Sequence, residues 1–181
     1  TQALIVSVLL LATFLRFYRL PQTMQFLGDQ GRDALIARGI FMDRDPAFIG
    51  PVTSVGNMYL GPFYYYFMVF PLMLTYPSPV GPALAVASIG VLTTFFMYYL
   101  GRDLIGKKPA LLAMVLYAVA PVVITNVRFS WNPNIVPFFS LILVWCLYQT
   151  IKRRYSYWLG VGLSAIVLFQ LHYITLILIG C

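Results

Sequence analysis

Carboxylates are scarce in this chain, and most of them lie in one short window. All five acidic residues are aspartates, and four of them fall between positions 29 and 45, just after the first apolar segment. No Lys, Arg, Asp or Glu occurs from Pro46 to Gly101. Such a concentration of carboxylates in an otherwise apolar chain predicts that they serve chemistry or ligand contact.

Asp29 is the first candidate for a chemical role. It follows Gly28 and precedes a run with helical spacing, so the sequence predicts that it is the N-cap of a short helix. Its carboxylate could act as a general base towards a hydroxyl or as a metal ligand, and the alternative is that it only caps the helix. Asp33 lies one turn further on, where it could share a cation with Asp29 or pair with a nearby arginine.

A second group of candidates lies between two later apolar segments, in the run Arg-Phe-Ser-Trp-Asn-Pro-Asn. Arg128 could bind a phosphate, and the amide oxygens of Asn132 and Asn134 could hold a sugar or a metal. The alternative is an interfacial turn with a Trp anchor. His172 follows a further apolar segment beside Gln170, where a polar residue is either functional or a structural hydrogen-bonder.

The composition places these residues in a membrane protein. Hydrophobic residues make up 61% of the chain and charged residues 9%. The net charge of +7 comes from short basic clusters at the ends of apolar segments. That distribution is typical of membrane topology signals and excludes the basic face expected of a nucleic-acid-binding protein.

Five apolar segments approach the length of about 20 residues needed to cross hydrocarbon. They are Ala3–Phe17, Pro82–Leu100, Pro109–Thr125, Ile135–Ile151 and Tyr157–Leu171, and a sixth begins near Ile174. Basic clusters at 102–108 and 152–154 follow the second and fourth segments, so both loops are predicted to be cytoplasmic. The fold class predicted is an all-α, polytopic transmembrane bundle in the cell membrane.

The segment Met58–Tyr76 decides on which side the aspartates lie. Pro62 and Pro71 are expected to break any helix there, and its tyrosines favour the membrane interface. We therefore predict a short membrane-surface helix that does not cross, as well as an interfacial helix after Asp29. The loop from Pro21 to Asn57 is then extracytoplasmic.

The order of motifs resembles a known family. The chain reads Leu-Arg-Phe-Tyr-Arg-Leu-Pro, Gly-Asp-Gln-Gly-Arg-Asp-Ala-Leu-Ile-Ala-Arg-Gly, Tyr-Leu-Gly-Pro-Phe-Tyr-Tyr-Tyr, Tyr-Leu-Gly-Arg-Asp-Leu-Ile-Gly-Lys-Lys and Arg-Phe-Ser-Trp-Asn-Pro-Asn-Ile-Val-Pro-Phe-Phe. This order is similar to the N-terminal module of GT-C membrane glycosyltransferases, in the protein mannosyltransferase and aminoarabinose transferase group of glycosyltransferase family 39. The resemblance covers nearly all of residues 1–181, which we interpret as one N-terminal transmembrane module, incomplete at its C-terminus.

The resemblance implies an inverting transferase that takes a sugar from a polyprenyl-phosphate donor. Asp29 matches the family's catalytic aspartate. The chain departs from the family pattern at Leu60 and Gly61, where relatives often carry an acidic and a basic residue, and at Asn134 or Asn132, where many carry an aspartate. His172 stands where relatives often have a lysine, a position suited to the donor phosphate.

On this interpretation Arg128 and His172 neutralise the donor phosphate while Asp29 takes the proton of the acceptor hydroxyl. Asp33, Asn132 and Asn134 complete the predicted substrate-binding set. The acceptor is a lipid, a glycan or a protein, and a divalent metal is possible but not required by the sequence. Two other functions stay open: a transporter or flippase, which predicts carboxylates within the spans, and a non-catalytic docking subunit.

Overall fold

The computed structural model describes residues 2–179, and these residues are predominantly helical. Within that range there is no strand, only an isolated antiparallel bridge between Val52 and Tyr59. The helices are α1 Gln2–Phe17, α2 Leu20–Thr23, α3 Gly28–Arg38, α4 Phe63–Thr75, α5 Val80–Tyr99, α6 Gly101–Ile105, α7 Lys107–Val119, α8 Pro121–Asn126, α9 Val136–Ile151, α10 Trp158–Leu171 and α11 Leu176–Ile179. A π-helical turn, Gly39–Asp43, extends α3, and 3₁₀ turns lead into α9, α10 and α11.

Two helical stretches are long and apolar enough to cross a membrane. They are Val80–Ile105, with 26 residues, and Asn132–Ile151, with 20 residues. At 1.5 Å per residue, both reach or exceed the roughly 30 Å of a hydrocarbon core. The helices Gln2–Phe17, Phe63–Thr75 and Tyr155–Leu171 are apolar but shorter.

The third predicted span is wrong as one continuous helix. It divides into α7 and α8 at Ala120, whose backbone is extended because the following residue is Pro121. The sixth predicted span is visible only as the 3₁₀ turn Tyr173–Thr175 and the short α11, and residues 180 and 181 lie outside the described range.

The segment between α1 and α5 begins and ends at the same end of the bundle. Leu20, just after α1, packs against Ala83 and Ala87 near the start of α5. The 13 residues of α4, about 20 Å long, lie between these two points in the chain and pack on α3, α5 and α10. We call this end of the bundle the aspartate end, and the opposite end, with the clusters at 102–108 and 152–154, the basic end.

Two details of the predicted surface helix are wrong. Helix α4 begins after Pro62 as expected, but it continues through Pro71, because its buried residues Met68 and Leu72 keep both halves packed in the core. Tyr64 and Tyr65 are buried too, and the hydroxyl group of Tyr64 is 2.8 Å from that of Ser130. These tyrosines therefore anchor α4 to the bundle and do not face an interface.

Two arginines join the helix ends at the aspartate end. The guanidinium of Arg16, fully buried, donates to the carbonyl oxygens of Tyr117 and Ala118, 3.2 and 3.1 Å away, at the C-terminus of α7. Arg128 donates in turn to the carbonyl oxygens of Leu15 and Arg16 at the C-terminus of α1. Positive charge at the unpaired carbonyls of a helix C-terminus is stabilising, so these contacts fix α1 and α7 relative to the loops beyond them.

Candidate active site

Segments distant in sequence meet around one cavity at the aspartate end. They are the first turns of α3, the loop around residues 51–54, the turn at 131–133 and the end of α10. The cavity has a volume of about 320 Å³, and its side chains with donor or acceptor groups include Asp29, Arg32, Asn132 and His172. We call it the first cavity. Three of the six residues proposed from sequence, Asp29, Asn132 and His172, therefore share one site.

Asp29 lies in the first turn of α3, at its second residue and so two positions inside the N-cap. Helix α3 begins at Gly28 with Leu27 as the N-cap, so the predicted N-cap role of Asp29 is wrong. The side-chain oxygen of Gln30 accepts a hydrogen bond of 2.8 Å from the N–H of Leu27, the N-cap residue. The Asp29 side chain is 54% exposed, and the residue lines the cavity.

Arg32 bridges the two aspartates of α3. Its Nη1 donates to Oδ1 of Asp29 at 3.0 Å, while Nε and Nη2 donate to Oδ1 of Asp33 at 2.9 and 2.7 Å. The position between the carboxylates that was predicted for a shared cation is thus occupied by a guanidinium. Arg32 was not singled out in the sequence, although its i,i+3 spacing from Asp29 is the signal for such a pair.

Asp33 is fully buried behind Arg32 and does not line the cavity. Burial raises the pKa of the Asp33 carboxyl, the hydrogen bonds from Arg32 act to lower it, and the charge of Asp29 raises it further. Its second oxygen, Oδ2, has no hydrogen-bond partner within residues 2–179. Asp33 therefore contacts Arg32 and does not reach the cavity in which a ligand would lie. Any effect of Asp33 on a ligand is indirect, through the position of the Arg32 guanidinium.

Asn132 and His172 form the wall opposite α3. The amide of Asn132 donates to the carbonyl oxygen of Leu171 and so ties the turn after α8 to the end of α10. Nδ1 of His172 accepts a hydrogen bond of 3.2 Å from the Ile174 N–H, which leaves the proton on Nε2. Burial lowers the pKa of His172 below its ordinary value, so its imidazole is a neutral hydrogen-bond donor at pH 7.

The other two predicted residues contact the backbone and do not line the first cavity. Arg128 donates to the Leu15, Arg16 and Tyr18 carbonyl oxygens and to the Thr23 hydroxyl group. The amide of Asn134 donates to the carbonyl oxygen of Phe129 at 3.1 Å and closes its own turn. Within residues 2–179 no group of three or more His, Cys, Asp or Glu side chains could hold a metal ion.

A second cavity, of about 420 Å³, lies on the other side of Asp29. It is lined by Gln25, Leu27, Gly28, Asp29, Gln30, Phe129 and Trp131. Asp29 and Trp131 line both cavities. Asp29 thus borders two cavities, as expected of a residue that acts between two substrates.

Comparison with models of known protein families assigns the chain to a family. The model of the dolichyl-phosphate-mannose-protein mannosyltransferase family matches residues 60–180. The chain belongs to this family. No curated protein and no solved structure matches it.

Membership in the mannosyltransferase family indicates a membrane glycosyltransferase and is consistent with the two long apolar helices. The match includes the wall of the first cavity formed by Asn132 and His172, together with Trp131. Asp29 and Arg32 precede the matched residues, so their roles depend on the geometry of the site and not on the family match.

Proposed function

We propose that this protein transfers a sugar from a polyprenyl-phosphate donor to an acceptor hydroxyl at the extracytoplasmic face of the membrane, with inversion at the anomeric carbon. The observation that carries the proposal is the position of Asp29, which borders both cavities. The family assignment supports the donor class.

The first cavity is assigned to the phosphate and sugar of the donor. Arg32 supplies a positive charge there, Asn132 supplies an amide, and His172 supplies a neutral N–H. Charge-assisted bonds from a planar guanidinium suit phosphate oxygens, on which charge develops as the sugar leaves. Arg32 takes the role first considered for Arg128, whose donors are directed at backbone carbonyls.

Asp33 is a positioning residue for Arg32 in this scheme. Its buried carboxylate holds Nε and Nη2, so that the third donor, Nη1, is directed at Asp29. When a donor phosphate enters, the guanidinium bridges the phosphate and the base. Preorganisation of this kind lowers the cost of orienting the reacting groups.

The chemical step is a single displacement. The acceptor oxygen attacks the anomeric carbon from the side opposite the phosphate, a new C–O bond forms, and the bond from that carbon to the phosphate oxygen breaks. Asp29 accepts the acceptor's proton, and the bonding electron pair leaves with polyprenyl phosphate. Because attack and departure occur on opposite faces, the configuration is inverted.

The distribution of charge supports an extracytoplasmic site. The clusters Arg102, Lys107, Lys108 and Lys152–Arg154 lie at the basic end, where they match the positive-inside pattern. At the aspartate end, Arg16 and Arg128 bind helix carbonyls and Arg32 and Arg38 are paired with aspartates, while Arg19 and Arg44 are exposed outside these contacts. We propose a multi-pass chain with its aspartate end outside.

Replacement of Asp29 by Asn tests the function. The amide keeps the size of the side chain but cannot accept the proton, so transfer from polyprenyl-phosphate sugars should fall by roughly 10²–10⁴, the usual contribution of a general base. Asp43→Asn is the matched control, because Asp43 is an exposed carboxylate of the same segment that pairs with Arg38 at 3.1 Å. Wild-type turnover by Asp29→Asn at saturating donor would refute the assignment.

A further inference from the structure

Trp131 lines both cavities, together with Asp29. Trp131 is 37% exposed. Its ring stacks with that of Phe129, with the ring centroids 6.3 Å apart and the planes at 22°. Its carbonyl oxygen accepts a hydrogen bond of 3.0 Å from the Asn134 N–H, which fixes the turn that carries it. The indole is therefore a rigid, supported platform beside Asp29, beyond what a simple membrane-interface anchor would need.

The remaining walls of the second cavity carry hydrogen-bonding groups around this platform. Gln25 contributes an exposed amide and Asp29 a carboxylate. The amide of Gln30 is oriented by the hydrogen bond that its oxygen accepts from the Leu27 N–H. An aromatic face with amide and carboxylate groups at its edge complements a sugar ring, whose C–H face is apolar and whose hydroxyl groups project sideways.

We propose, on the basis of the function proposed above, that the second cavity binds the acceptor and that this acceptor is a carbohydrate whose ring stacks on Trp131. The hydroxyl that projects from the stacked ring towards Asp29 is the one that is glycosylated. Serine and threonine side chains have no flat apolar face of this kind, so the platform favours a glycan or glycolipid acceptor over a protein hydroxyl. The volume of about 420 Å³ is within the usual range for small-molecule sites.

Direct binding tests this inference independently of transfer. The test uses a full-length protein in which Trp145 and Trp158, which lie towards the basic end, are replaced by Phe. Trp131 is then the one tryptophan left within residues 1–181, and its fluorescence reports on the site. Methyl glycosides of mannose, glucose, galactose and N-acetylglucosamine are titrated, with a serine- and threonine-containing peptide as the comparison. We expect at least one glycoside, and not the peptide, to change the fluorescence saturably.

Transfer kinetics give the second measurement. Trp131→Ala should raise the KM for a glycoside acceptor by about 3- to 10-fold, the range expected for loss of one aromatic contact, and Trp131→Phe should restore most of the affinity. The KM for the polyprenyl-phosphate donor, measured by its slow hydrolysis without acceptor, should change less than the acceptor KM. Trp158→Phe is the control, because Trp158 lies at the N-terminus of α10, opposite His172.

Two results would overturn the inference. One is that no glycoside perturbs the Trp131 fluorescence or accepts sugar, whereas the peptide does. The other is that Trp131→Ala raises only the donor KM. Either result leaves the proposed transferase function intact, because that function fails only if Asp29→Asn remains fully active.

Discussion

Nη1 of Arg128 lies 2.7 Å from the carbonyl oxygen of Leu15, across 113 residues of sequence. This contact attaches the turn that carries Trp131 and Asn132 to the end of α1. The same guanidinium also binds the Tyr18 carbonyl oxygen and the Thr23 hydroxyl group, just before α3 begins. One side chain thus links the two parts of the chain that form opposite walls of the site.

Arg128→Lys is expected to lower stability more than it lowers donor affinity. A lysine carries the charge but cannot reproduce the planar set of donors, and each lost charge-assisted bond is worth about 1.5–3 kcal/mol when buried. Because Arg128 is partly exposed to solvent, we expect a total loss of about 1–3 kcal/mol. Thermal unfolding in detergent measures the loss. A large rise in donor KM with unchanged stability would instead show that Arg128 binds the phosphate, as first predicted.

Asp33→Asn is expected to raise the donor KM while the protein still folds. The variant keeps a hydrogen-bond acceptor but removes the charge that orients Arg32, so the guanidinium loses its fixed direction. Because burial raises the pKa of Asp33, its charge is costly in the native state, and stability rises as pH falls through the raised pKa towards 3.8.

Two measurements check Asp33→Asn. Steady-state kinetics show whether the donor KM rises while kcat is retained, and unfolding is measured as a function of pH. The variant should lose the gain in stability on acidification that the wild type shows in this window. Asp33→Glu, which restores the charge, should recover part of the donor affinity. An unchanged KM in Asp33→Asn would refute the positioning role.

His172 should act as a neutral hydrogen-bond donor. His172→Ala is expected to raise the donor KM by about 2- to 10-fold, the value of one net hydrogen bond, and His172→Gln should recover most of it without a charge. Because the native pKa lies below 6.5, the unfolded state binds the proton more tightly, so stability falls as pH drops below 6.5 towards the native pKa. Unfolding of wild type and His172→Gln between pH 5 and 8 checks this. A donor KM that improves on acidification would indicate a cationic role.

Gly50→Ala should damage the site through the backbone. A Cβ atom at Gly50 would lie 2.1 Å from the carbonyl oxygen of Gly61 and 2.8 Å from that of Leu60. The loop must therefore open at the hydrogen bond from the Gly50 N–H to the Leu60 carbonyl oxygen. The next two residues, Pro51 and Val52, line the first cavity and would move with it. We expect a loss of about 1–3 kcal/mol, as for overpacking, and a lower transfer rate. Gly39→Ala, with nothing within 4 Å of its added Cβ, is the control and should unfold as the wild type does.

Cysteine labelling tests the proposed topology. In a background with Cys146 and Cys181 replaced by Ser, single cysteines are introduced at Val55 and Ser78, before and after α4. An impermeant reagent added from outside intact cells should label both, because the two positions flank a helix of about 20 Å that stays at the aspartate end. A cysteine at Tyr155, at the basic end, should label only after permeabilisation. Labelling of positions 55 and 78 from opposite faces would refute the topology.

The sequence was sufficient to predict features that depend on local pattern. Apolar length located most helices to within a few residues, and the scarcity of carboxylates directed attention to Asp29, which lines the first cavity. Some of the features it missed depend on partners far along the chain, and others are local. Nothing local indicates that Arg128 binds α1, 113 residues earlier, or that Asp33 is buried. The break at Ala120 is a local effect of Pro121 that apolar length alone concealed. The N-cap was misassigned because α3 begins at Gly28, before Asp29, with the side chain of Gln30 bonding the N–H of the N-cap residue Leu27.

The buried guanidinium of Arg16 has a consequence for biogenesis. Its acceptor Ala118 is synthesised 102 residues later, which at ribosomal speeds of about 5–20 residues per second is a delay of roughly 5–20 s. During that interval the guanidinium in the last turn of α1 lacks the two carbonyl acceptors that α7 later supplies. We therefore expect the position of α1 to become fixed only once α7 has been synthesised, because these two carbonyl groups belong to its last turn.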